Sequence, residues 1–252
     1  MYLYIFDSFL GKKKYKKIID KIETRITDLE ISGRIIRLTI LENIEEIVHD
    51  AIKKGVDTIV AVGNDKTLCQ TASAINNPLA VLGFIPVGEK NDLAQILGIP
   101  KEELACEVIS ARLIETIDLL KINHHLCLSS VKINSHHIIL KSDNYKISLS
   151  PQINETKILN LDCIFKKASN PHDGLIEIIL QKSNSSFLSF LKFSQEKVID
   201  SIFFLKKIRV ESLKKRKEIP ILIDNWKILK TPLEIEVIPR QLKMIVGRER
   251  KF

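Results

Sequence analysis

Short apolar runs alternate with longer amphipathic stretches over residues 1–115. This alternation predicts βα units around a parallel sheet. The third and fourth apolar runs are almost wholly apolar, as strands buried on both faces should be. The predicted strands are 2–6, 34–39, 57–62 and 80–86. The predicted helices are 13–29, 43–54, 67–75, a helix that starts near Lys90 and stops before Gly98, and 101–112.

From residue 116 onward the apolar period changes to alternation, which predicts antiparallel strands. The predicted strands are 126–133, 137–141, 146–149, 158–165, 175–180, 207–210, 219–223, 233–238 and 242–246, with a short helix at 187–193. The fold class is therefore α/β, with a Rossmann-like parallel-sheet domain at 1–117 and a smaller antiparallel β-rich domain at 118–252. We expect the last strand of the second domain to return to the first.

The turn after the third strand, VGNDKT at 62–67, joins a buried strand directly to a helix. Gly63, Asp65 and Thr67 at such a strand end can hold phosphate oxygens through backbone amides and the hydroxyl. The alternative is purely structural, because Asn and Asp are common turn formers and Thr67 can act as a helix N-cap.

A second segment repeats this order of strand, glycine turn, polar pair and helix, namely LGFIPVGEKNDLAQILGIP at 82–100. Adjacent carboxyl ends of parallel strands form the crevice where nucleotides usually bind. Asn91 and Asp92 should therefore project toward the same volume as Asp65. In the competing interpretation, Asn91 or Asp92 only caps the following helix.

Together these two segments resemble the catalytic domain of the diacylglycerol kinase and bacterial lipid kinase family, which is related more distantly to sphingosine and NAD kinases. The family hallmark is GGDGT after a strand, and this chain has GNDKT, in which Asn64 and Lys66 replace glycines. The family pattern IPxGTxNDxAxxLGIP is matched closely by residues 85–100, with Gly88, Asn91 and Asp92 at its polar positions.

Weaker similarities extend along the chain. In the segment that corresponds to the family's NPxSGK, only Gly11 and Lys12 are retained. Near residue 224 the chain resembles the family's DGE turn, with Asp224 at the aspartate and Trp226 where the glutamate is expected.

The resemblance implies ATP and Mg²⁺ as cofactors and phosphoryl transfer to a lipid or lipid-like hydroxyl. It assigns catalytic roles to Asp224 and Asp92, and metal binding to Asp65. Lys66 stands where the family has glycine, but its ammonium can lie on a phosphate, as in other phosphate loops. The residues expected to bind nucleotide are Gly11, Lys12, Gly63, Asn64, Asp65, Lys66, Thr67, Gly88 and Asn91.

A second interpretation is a catalytically impaired pseudokinase that acts as a nucleotide- or lipid-binding or regulatory module. It is favoured by the replacements at Asn64 and Lys66, by Glu89 and Lys90 in the second turn, and by Trp226, whose indole cannot act as a general base.

The chain has 252 residues and a formal net charge of +8, which favours anionic partners such as nucleotides or acidic membrane surfaces. Nucleic acid is not favoured, because no aromatic platform or recognition helix accompanies the charge. No apolar run approaches the roughly 20 residues of a membrane span. We therefore expect a cytoplasmic protein, with peripheral membrane contact through the basic surface as an additional expectation.

Overall fold

The computed structural model describes residues 1–164, 167–182, 198–214 and 217–252. The first part of the chain forms parallel strands joined by crossover helices, as the apolar pattern predicts. The strands are β1 (Tyr2–Phe6), β2 (Gly33–Arg37), β3 (Thr58–Gly63) and β4 (Val81–Pro86). The helices are α1 (Lys16–Asp28), α2 (Ile44–Lys53), α3 (Asp65–Ala74), α4 (Asp92–Ile96) and α5 (Ala105–Ala111), with 3₁₀ turns at Ser8–Gly11, Lys13–Tyr15 and Glu102–Leu104.

The remainder of the chain is almost entirely strand. Its strands are β5 (Ile114–Ile122), β6 (His125–Cys127), β7 (Ser130–Ile133), β8 (Ile138–Lys141), β9 (Lys146–Ser148), β10 (Ile153–Leu159), β11 (Cys163–Ile164), β12 (Lys167–Ala168), β13 (Ile176–Lys182), β14 (Val198–Leu205), β15 (Lys207–Ser212), β16 (Pro220–Ile223), β17 (Lys227–Lys230) and β18 (Leu233–Ile245).

Two large sheets result. One has the order β2-β1-β3-β4-β18-β15-β8-β9, with β5 also paired to β18 and β6 to β5. The strands β2, β1, β3 and β4 are mutually parallel. The other sheet is antiparallel, with the order β14-β13-β10-β7-β16-β17. This arrangement confirms the predicted α/β class with a parallel-sheet part followed by an antiparallel β-rich part.

The long strand β18 belongs to both halves of the larger sheet. It pairs with β4 in parallel through Lys243 and Met244, and with β5 and β15 in antiparallel fashion. Its register shifts between Ile238 and Leu242, where Arg240 has a φ of +52° and donates its N–H to the Asp118 carboxylate at 2.8 Å. β5 runs through the boundary expected at residue 117, and the division into two domains there stays a prediction.

The buried apolar side chains form two clusters, one in the parallel part of the fold and one in the antiparallel part. One surrounds the parallel strands, where every residue of β3 and β4 is buried. The other fills the space inside the antiparallel half and contains Leu120, Val131 and Ile178, all 0 % exposed. Within the described ranges, no helix is both long and apolar enough to cross a bilayer.

Several strands differ from the pattern-based prediction. The run 126–133 forms two strands instead of one, because residues 128–130 turn their N–H groups toward the Asp224 carboxylate. The runs 233–238 and 242–246 form one strand, because the interruption between them is a bulge. The predicted strand 158–165 corresponds to the end of β10 and to β11, with a break between them. β5, β12, β14 and β17 were not predicted, and the predicted helix at 187–193 lies outside the described residues.

Candidate functional site

The two predicted phosphate-type turns lie side by side at the carboxyl edge of the parallel sheet. β3 and β4 are neighbours, and Gly63 at the end of one faces Pro86 at the end of the other. Beyond the strands, Val87 N–H donates to the Gly63 carbonyl at 2.6 Å, and Asp65 N–H donates to the Lys90 carbonyl at 3.1 Å. The segments 63–65 and 87–91 are therefore one connected structure.

Asp65 links the two turns through its side chain. Its carboxylate accepts the Asp92 N–H at 2.8 Å and the Leu93 N–H at 3.3 Å. Asp65 therefore caps the amino end of α4, although it lies 27 residues earlier in the chain. The expected local cap is absent, since Asn91 makes no capping bond with its side chain. Burial raises the pKa of Asp65 to about 7; the Leu93 and Asp92 amides oppose this shift, and the negative charges of Asp92 and Asp162 add to it.

Asn64 is the N-cap of α3, and the backbone N–H groups at the amino end of this helix are bonded within the protein. The Asn64 side-chain oxygen accepts the N–H groups of Lys66 at 3.1 Å and Thr67 at 3.3 Å. The Asn64 N–H in turn donates to the Thr67 hydroxyl at 3.2 Å, which completes a capping box. Because Asp65 N–H is bonded to Lys90, all four amides of residues 64–67 have partners within the protein.

The Thr67 hydroxyl is also engaged, since it donates to the Asp7 carboxylate at 2.6 Å. Thr67 is 0 % exposed, so this bond ties the end of β1 to the first turn of α3. Gly63 is required here because a Cβ at this position would overlap the Thr67 side chain. The sequence allowed Thr67 to be the N-cap, whereas the structure gives that role to Asn64 and makes Thr67 its partner.

The second turn contains an unsatisfied acceptor. Asn91 is 6 % exposed and donates through its amide nitrogen to the Gly88 carbonyl at 2.9 Å. Its side-chain oxygen is buried and accepts no hydrogen bond from any residue that the structure describes. Gly88 has a φ of +85°, which glycine adopts without strain. Asp92 is exposed on the first turn of α4.

A polar cavity of about 540 Å³, hereafter the cleft, lies at this edge of the sheet. Its walls come from the ends of β1 and β2, from α2 and α3, and from the β16–β17 turn of the antiparallel half. Among the predicted nucleotide-binding residues, Lys66 lines it. Gly11 and Lys12 instead line a separate cavity of about 290 Å³, which shares only Asp7 and Leu38 with the cleft. The structure therefore does not bring Gly11 and Lys12 together with Lys66.

Trp226 and Lys227 extend from the antiparallel half into the wall of the cleft. The Trp226 side chain packs against the apolar cluster of the parallel part, and its indole N–H finds no acceptor in the described part of the chain. The Lys227 ammonium lies 5.6 Å from the indole centroid and 2.9 Å from Nδ1 of His125. Burial and the Lys227 charge lower the pKa of His125, which favours the neutral ring that accepts this bond.

Asp224 is placed differently from the expectation for a catalytic carboxylate. It is 3 % exposed and does not line the cleft. Its carboxylate accepts the N–H groups of Leu128, Ser129 and Ser130 at 2.7–3.2 Å and the Cys127 thiol at 3.2 Å. Burial raises its pKa, against the opposing effect of these donors. Asp224 thus anchors the turn that carries Trp226, and its catalytic role stays a prediction, as does that of Asp92.

Sequence reasoning did not select Asp7, Thr39 or Lys227 as site residues, although all three line the cleft. A weak signal existed for Asp7, because it directly follows the first buried strand at the edge where ligands bind. Lys227 carries no comparable signal, since it comes from a strand some 160 residues away from Lys66 along the chain, and only the fold brings both to one cavity.

The first half of the chain is similar in sequence to known proteins. Residues 1–122 match the family model of the diacylglycerol kinase catalytic domain. The chain is 42 % identical over 86 residues to a probable lipid kinase YegS-like protein of Xanthomonas campestris pv. campestris (strain 8004), a match covering 31 % of this chain and 28 % of that protein. It is 36 % identical over 85 residues to a protein of the same name from Pseudomonas aeruginosa PAO1, covering 33 % and 28 %.

Solved structures extend the likeness to the whole chain. A diacylglycerol kinase structure from Bacillus anthracis str. Sterne superposes with a TM-score of 0.77 at 19 % identity, covering 99 % of this chain and 97 % of that one. A putative diacylglycerol kinase from the same organism gives a TM-score of 0.79 at 18 % identity, covering 99 % and 98 %. The match to the diacylglycerol kinase catalytic-domain model covers a little under half of the chain, and the whole chain shares the fold of these structures. The sequence match spans 28 % of the length of the curated relatives.

Proposed function

We propose that the protein transfers a phosphoryl group from ATP to the hydroxyl of a lipid or lipid-like acceptor. The observation that carries this proposal is the junction of the two strand-end turns through Asp65, next to a cleft with Lys66 and Lys227 in its walls. The names of the sequence relatives, probable lipid kinases, support a lipid acceptor.

The cleft is suited to a nucleotide by its size and its charged groups. Cavities that bind small molecules and cofactors typically measure about 300–1,000 Å³, and this one measures about 540 Å³. Because the amides of residues 64–67 are already bonded, the phosphates would be bound mainly by the ammonium groups of Lys66 and Lys227. Gly11 and Lys12 would contact the nucleotide only if it extends past Asp7 into the neighbouring cavity.

The oxygen ligands that the protein offers would suit a magnesium ion held mainly by the phosphates of the nucleotide. Mg²⁺ prefers oxygen ligands and usually takes only one or two carboxylates from the protein. Asp65 and the unpartnered oxygen of Asn91 supply such oxygens at the two turns. No group of three or more His, Cys, Asp or Glu side chains that could hold a metal occurs within the described residues. When bound, Mg²⁺ would neutralise charge that develops on the phosphates.

In the proposed reaction, the acceptor oxygen forms a bond to the γ-phosphorus while the bond to the β–γ bridging oxygen breaks, releasing ADP. The hydroxyl proton passes to a base. Asp92 is the exposed candidate for this role. Asp224 would first have to exchange its four protein donors for solvent or substrate.

A second candidate function is a nucleotide-binding module that does not transfer phosphate. Two observations favour it: the Asn64 cap occupies amides that a phosphate would otherwise use, and Trp226 stands where the family has a glutamate. For either function we propose a cytoplasmic location with peripheral contact to membranes.

Two measurements on the same preparation distinguish these functions. One is transfer of radiolabelled phosphate from ATP to a mixture of detergent-dispersed lipid alcohols with Mg²⁺ present. The other is the shift in melting temperature on addition of ATP or ADP. Labelled lipid supports the kinase, whereas a shift without labelled lipid supports the binding module. The absence of both labelled lipid and a melting-temperature shift would contradict both functions.

A further inference from the structure

A cavity of about 780 Å³, hereafter the basic cavity, lies in the antiparallel half of the fold. It shares no residue with the cleft or with the cavity at Gly11 and Lys12. Its walls come from β15, from the connection between β15 and β16, and from the end of β17. It therefore lies where the chain passes from the larger sheet to the antiparallel one.

The charged side chains in the walls of the basic cavity are mainly cationic. Among the described residues in these walls, Pro232 alone is apolar, so an apolar ligand would find few contacts there. The charged residues are four cations, Arg209, Lys214, Lys217 and Lys230, and two acids, Glu211 and Glu218. The walls thus carry an excess of positive charge.

Both acids are already paired with cations. Arg209 Nε lies 2.8 Å from the Glu211 carboxylate, which is also bonded to Lys141 from outside the cavity. The Lys230 ammonium lies 3.0 Å from the Glu218 carboxylate. Because Glu211 contacts two cations and Glu218 one, neither carboxylate is left to neutralise the remaining lysines.

Glu234 does not neutralise the cavity either. It is opposite Arg209 in the β15–β18 pair, but it is bonded to Lys207 and does not line the cavity.

Lys214 and Lys217 supply the uncompensated charge. Both residues are exposed, and neither ammonium forms an ion pair with a residue that the structure describes. Their backbone is held by hydrogen bonds, since the Lys214 N–H donates to the Ser212 hydroxyl and the Lys217 N–H to the Lys214 carbonyl, both at 3.2 Å. Two free ammonium groups are therefore presented from one short connection.

The neighbouring His137 responds to this charge. The Leu213 N–H donates to the His137 carbonyl at 2.9 Å, which brings the histidine next to the connection. Burial lowers the pKa of His137, and the charges of His136, Lys214 and Lys217 lower it further. The histidine and the lysines thus share a positive environment.

A phosphate group matches this excess of charge. A phosphate monoester carries roughly −1.5 to −2 at neutral pH, and lysine ammonium groups bind phosphate oxygens as point charges. Cavities that bind small molecules typically measure about 300–1,000 Å³, so the basic cavity has room for a ligand with more than one phosphate.

We propose that the basic cavity binds a phosphate-bearing anion through Lys214 and Lys217, with Arg209 and Lys230 at its edge. This site is separate from the cleft and does not depend on the proposed phosphoryl transfer. The phosphate belongs either to a soluble compound or to a lipid headgroup, because both present the same acceptor oxygens.

The soluble source is tested by calorimetric titration with inorganic tripolyphosphate. All chains carry Lys66→Met, which removes a cation from the cleft and leaves the basic cavity intact. This chain should bind tripolyphosphate. Adding Lys214→Met and Lys217→Met should weaken binding about a hundredfold, since each charged hydrogen bond contributes roughly a factor of ten or more.

The matched control replaces Lys53 and Lys54 by methionine. These lysines are exposed at the end of α2 and line none of the three cavities, so the control removes the same charge elsewhere. It should retain the affinity for tripolyphosphate. Equal losses in the two double replacements would overturn the proposal, because binding would then follow net charge alone. Equal melting temperatures without ligand would show that both variants are folded.

The lipid source is tested by co-sedimentation with phosphatidylcholine vesicles with or without phosphatidic acid, whose headgroup is a phosphate monoester. Sedimentation that requires phosphatidic acid and is lost in Lys214→Met/Lys217→Met, but not in the control, supports a lipid headgroup at this site. Tripolyphosphate binding that requires both lysines, without such sedimentation, supports a soluble ligand. Dependence on these lysines in neither assay would overturn the proposal.

Discussion

Asn64 and Thr67 satisfy each other's backbone amides, with the Asn64 side chain accepting from Thr67 at 3.3 Å and the Thr67 hydroxyl accepting from Asn64 at 3.2 Å. This reciprocal pair stabilises α3 and closes the site where a phosphate would meet the helix. Local stability and anion binding therefore compete for the same donors.

Replacing Asn64 by glycine should release the amides of Lys66 and Thr67 for a ligand. We expect tighter binding of ATP, with a loss of only a few tenths of a kcal/mol in the free energy of unfolding, because glycine is a tolerated N-cap. Asn64→Asp is the matched variant: it keeps a capping oxygen and adds a negative charge, so it should weaken ATP binding. Calorimetric titration with ATP checks both, and equal affinities in the two variants would contradict the idea.

Removing the Lys66 ammonium should weaken nucleotide binding if the cleft is the nucleotide site. For Lys66→Met we expect about a tenfold rise in the dissociation constant for ATP, since a charged hydrogen bond contributes roughly 1.5–3 kcal/mol. Lys101→Met serves as the control, because Lys101 is exposed and lines neither cavity at this edge. If the two variants bind ATP alike, Lys66 does not contact the nucleotide.

The parallel part of the fold could be predicted because its strands are buried on both faces. Such burial forces continuous apolar runs, as in β3 and β4, and these are visible without any partner. β18 is different, because Pro239 and Arg240 interrupt its pattern at a bulge, where the Arg240 N–H donates to the carboxylate of Asp118, more than a hundred residues earlier. The pattern alone cannot show that a distant carboxylate keeps the strand continuous.

The site could be predicted in outline for a similar reason. The order of strand, glycine turn and helix placed Asp65 near Asp92, and the structure joins them. The sequence did not show which atoms are bonded, so the Asp65 carboxylate as a cap for α4 and the burial of Asp224 emerged only from the structure. Both depend on contacts between segments at least 27 residues apart.

Loss of the Asp224 carboxylate should destabilise the chain strongly. Asp224→Ala would leave the amides of residues 128–130 and the Cys127 thiol without their acceptor. We expect the free energy of unfolding to fall by about 3 kcal/mol or more, because each buried unsatisfied donor costs roughly 1–3 kcal/mol.

The matched control is Asp173→Ala, since the Asp173 carboxylate is exposed and, among the described residues, accepts the Leu175 N–H alone, at 2.9 Å. This change should cost less than about 1 kcal/mol. Urea denaturation of both variants gives the comparison, and similar losses would show that Asp224 is not an anchor.

The indole of Trp226 should contribute to the stability of the fold through its apolar contacts and not through a hydrogen bond of its N–H. Trp226→Phe retains most of the apolar contact and removes a buried donor without an acceptor, so we expect a stability within about 1 kcal/mol of wild type. Trp226→Ala should cost more, roughly 1–2 kcal/mol, because it removes the contact of this half-buried ring with the apolar cluster of the parallel part. Thermal denaturation measures both, and a large loss for Trp226→Phe would indicate a hidden partner for the indole.

The raised pKa of Asp65 predicts a definite dependence of stability on pH. In the folded chain Asp65 keeps its proton up to a pKa of about 7, whereas its ordinary value is 3.8. Unfolding therefore releases a proton between these values, and the free energy of unfolding should fall as pH rises from about 4 to 7. The raised pKa of Asp224 acts in the same direction.

Asp65→Asn should make this decline shallower, because the amide does not titrate. Glu211→Gln is the control that should leave this slope unchanged, since Lys141 lowers the pKa of Glu211 from 4.5 and its contribution to stability varies only at more acidic pH. Melting temperatures at four values of pH between 4.5 and 7.5 test the difference. An unchanged slope in Asp65→Asn would mean that this carboxyl is ionised throughout.

The shared strand β18 also has a mechanical consequence. Because one continuous backbone is hydrogen-bonded to β4 at one end and to β15 at the other, the parallel and antiparallel halves cannot slide past each other without breaking that ladder. Opening and closing of the cleft would have to occur as a bend, and the irregular step between Ile238 and Leu242 is the point along this strand with the fewest bonds to break.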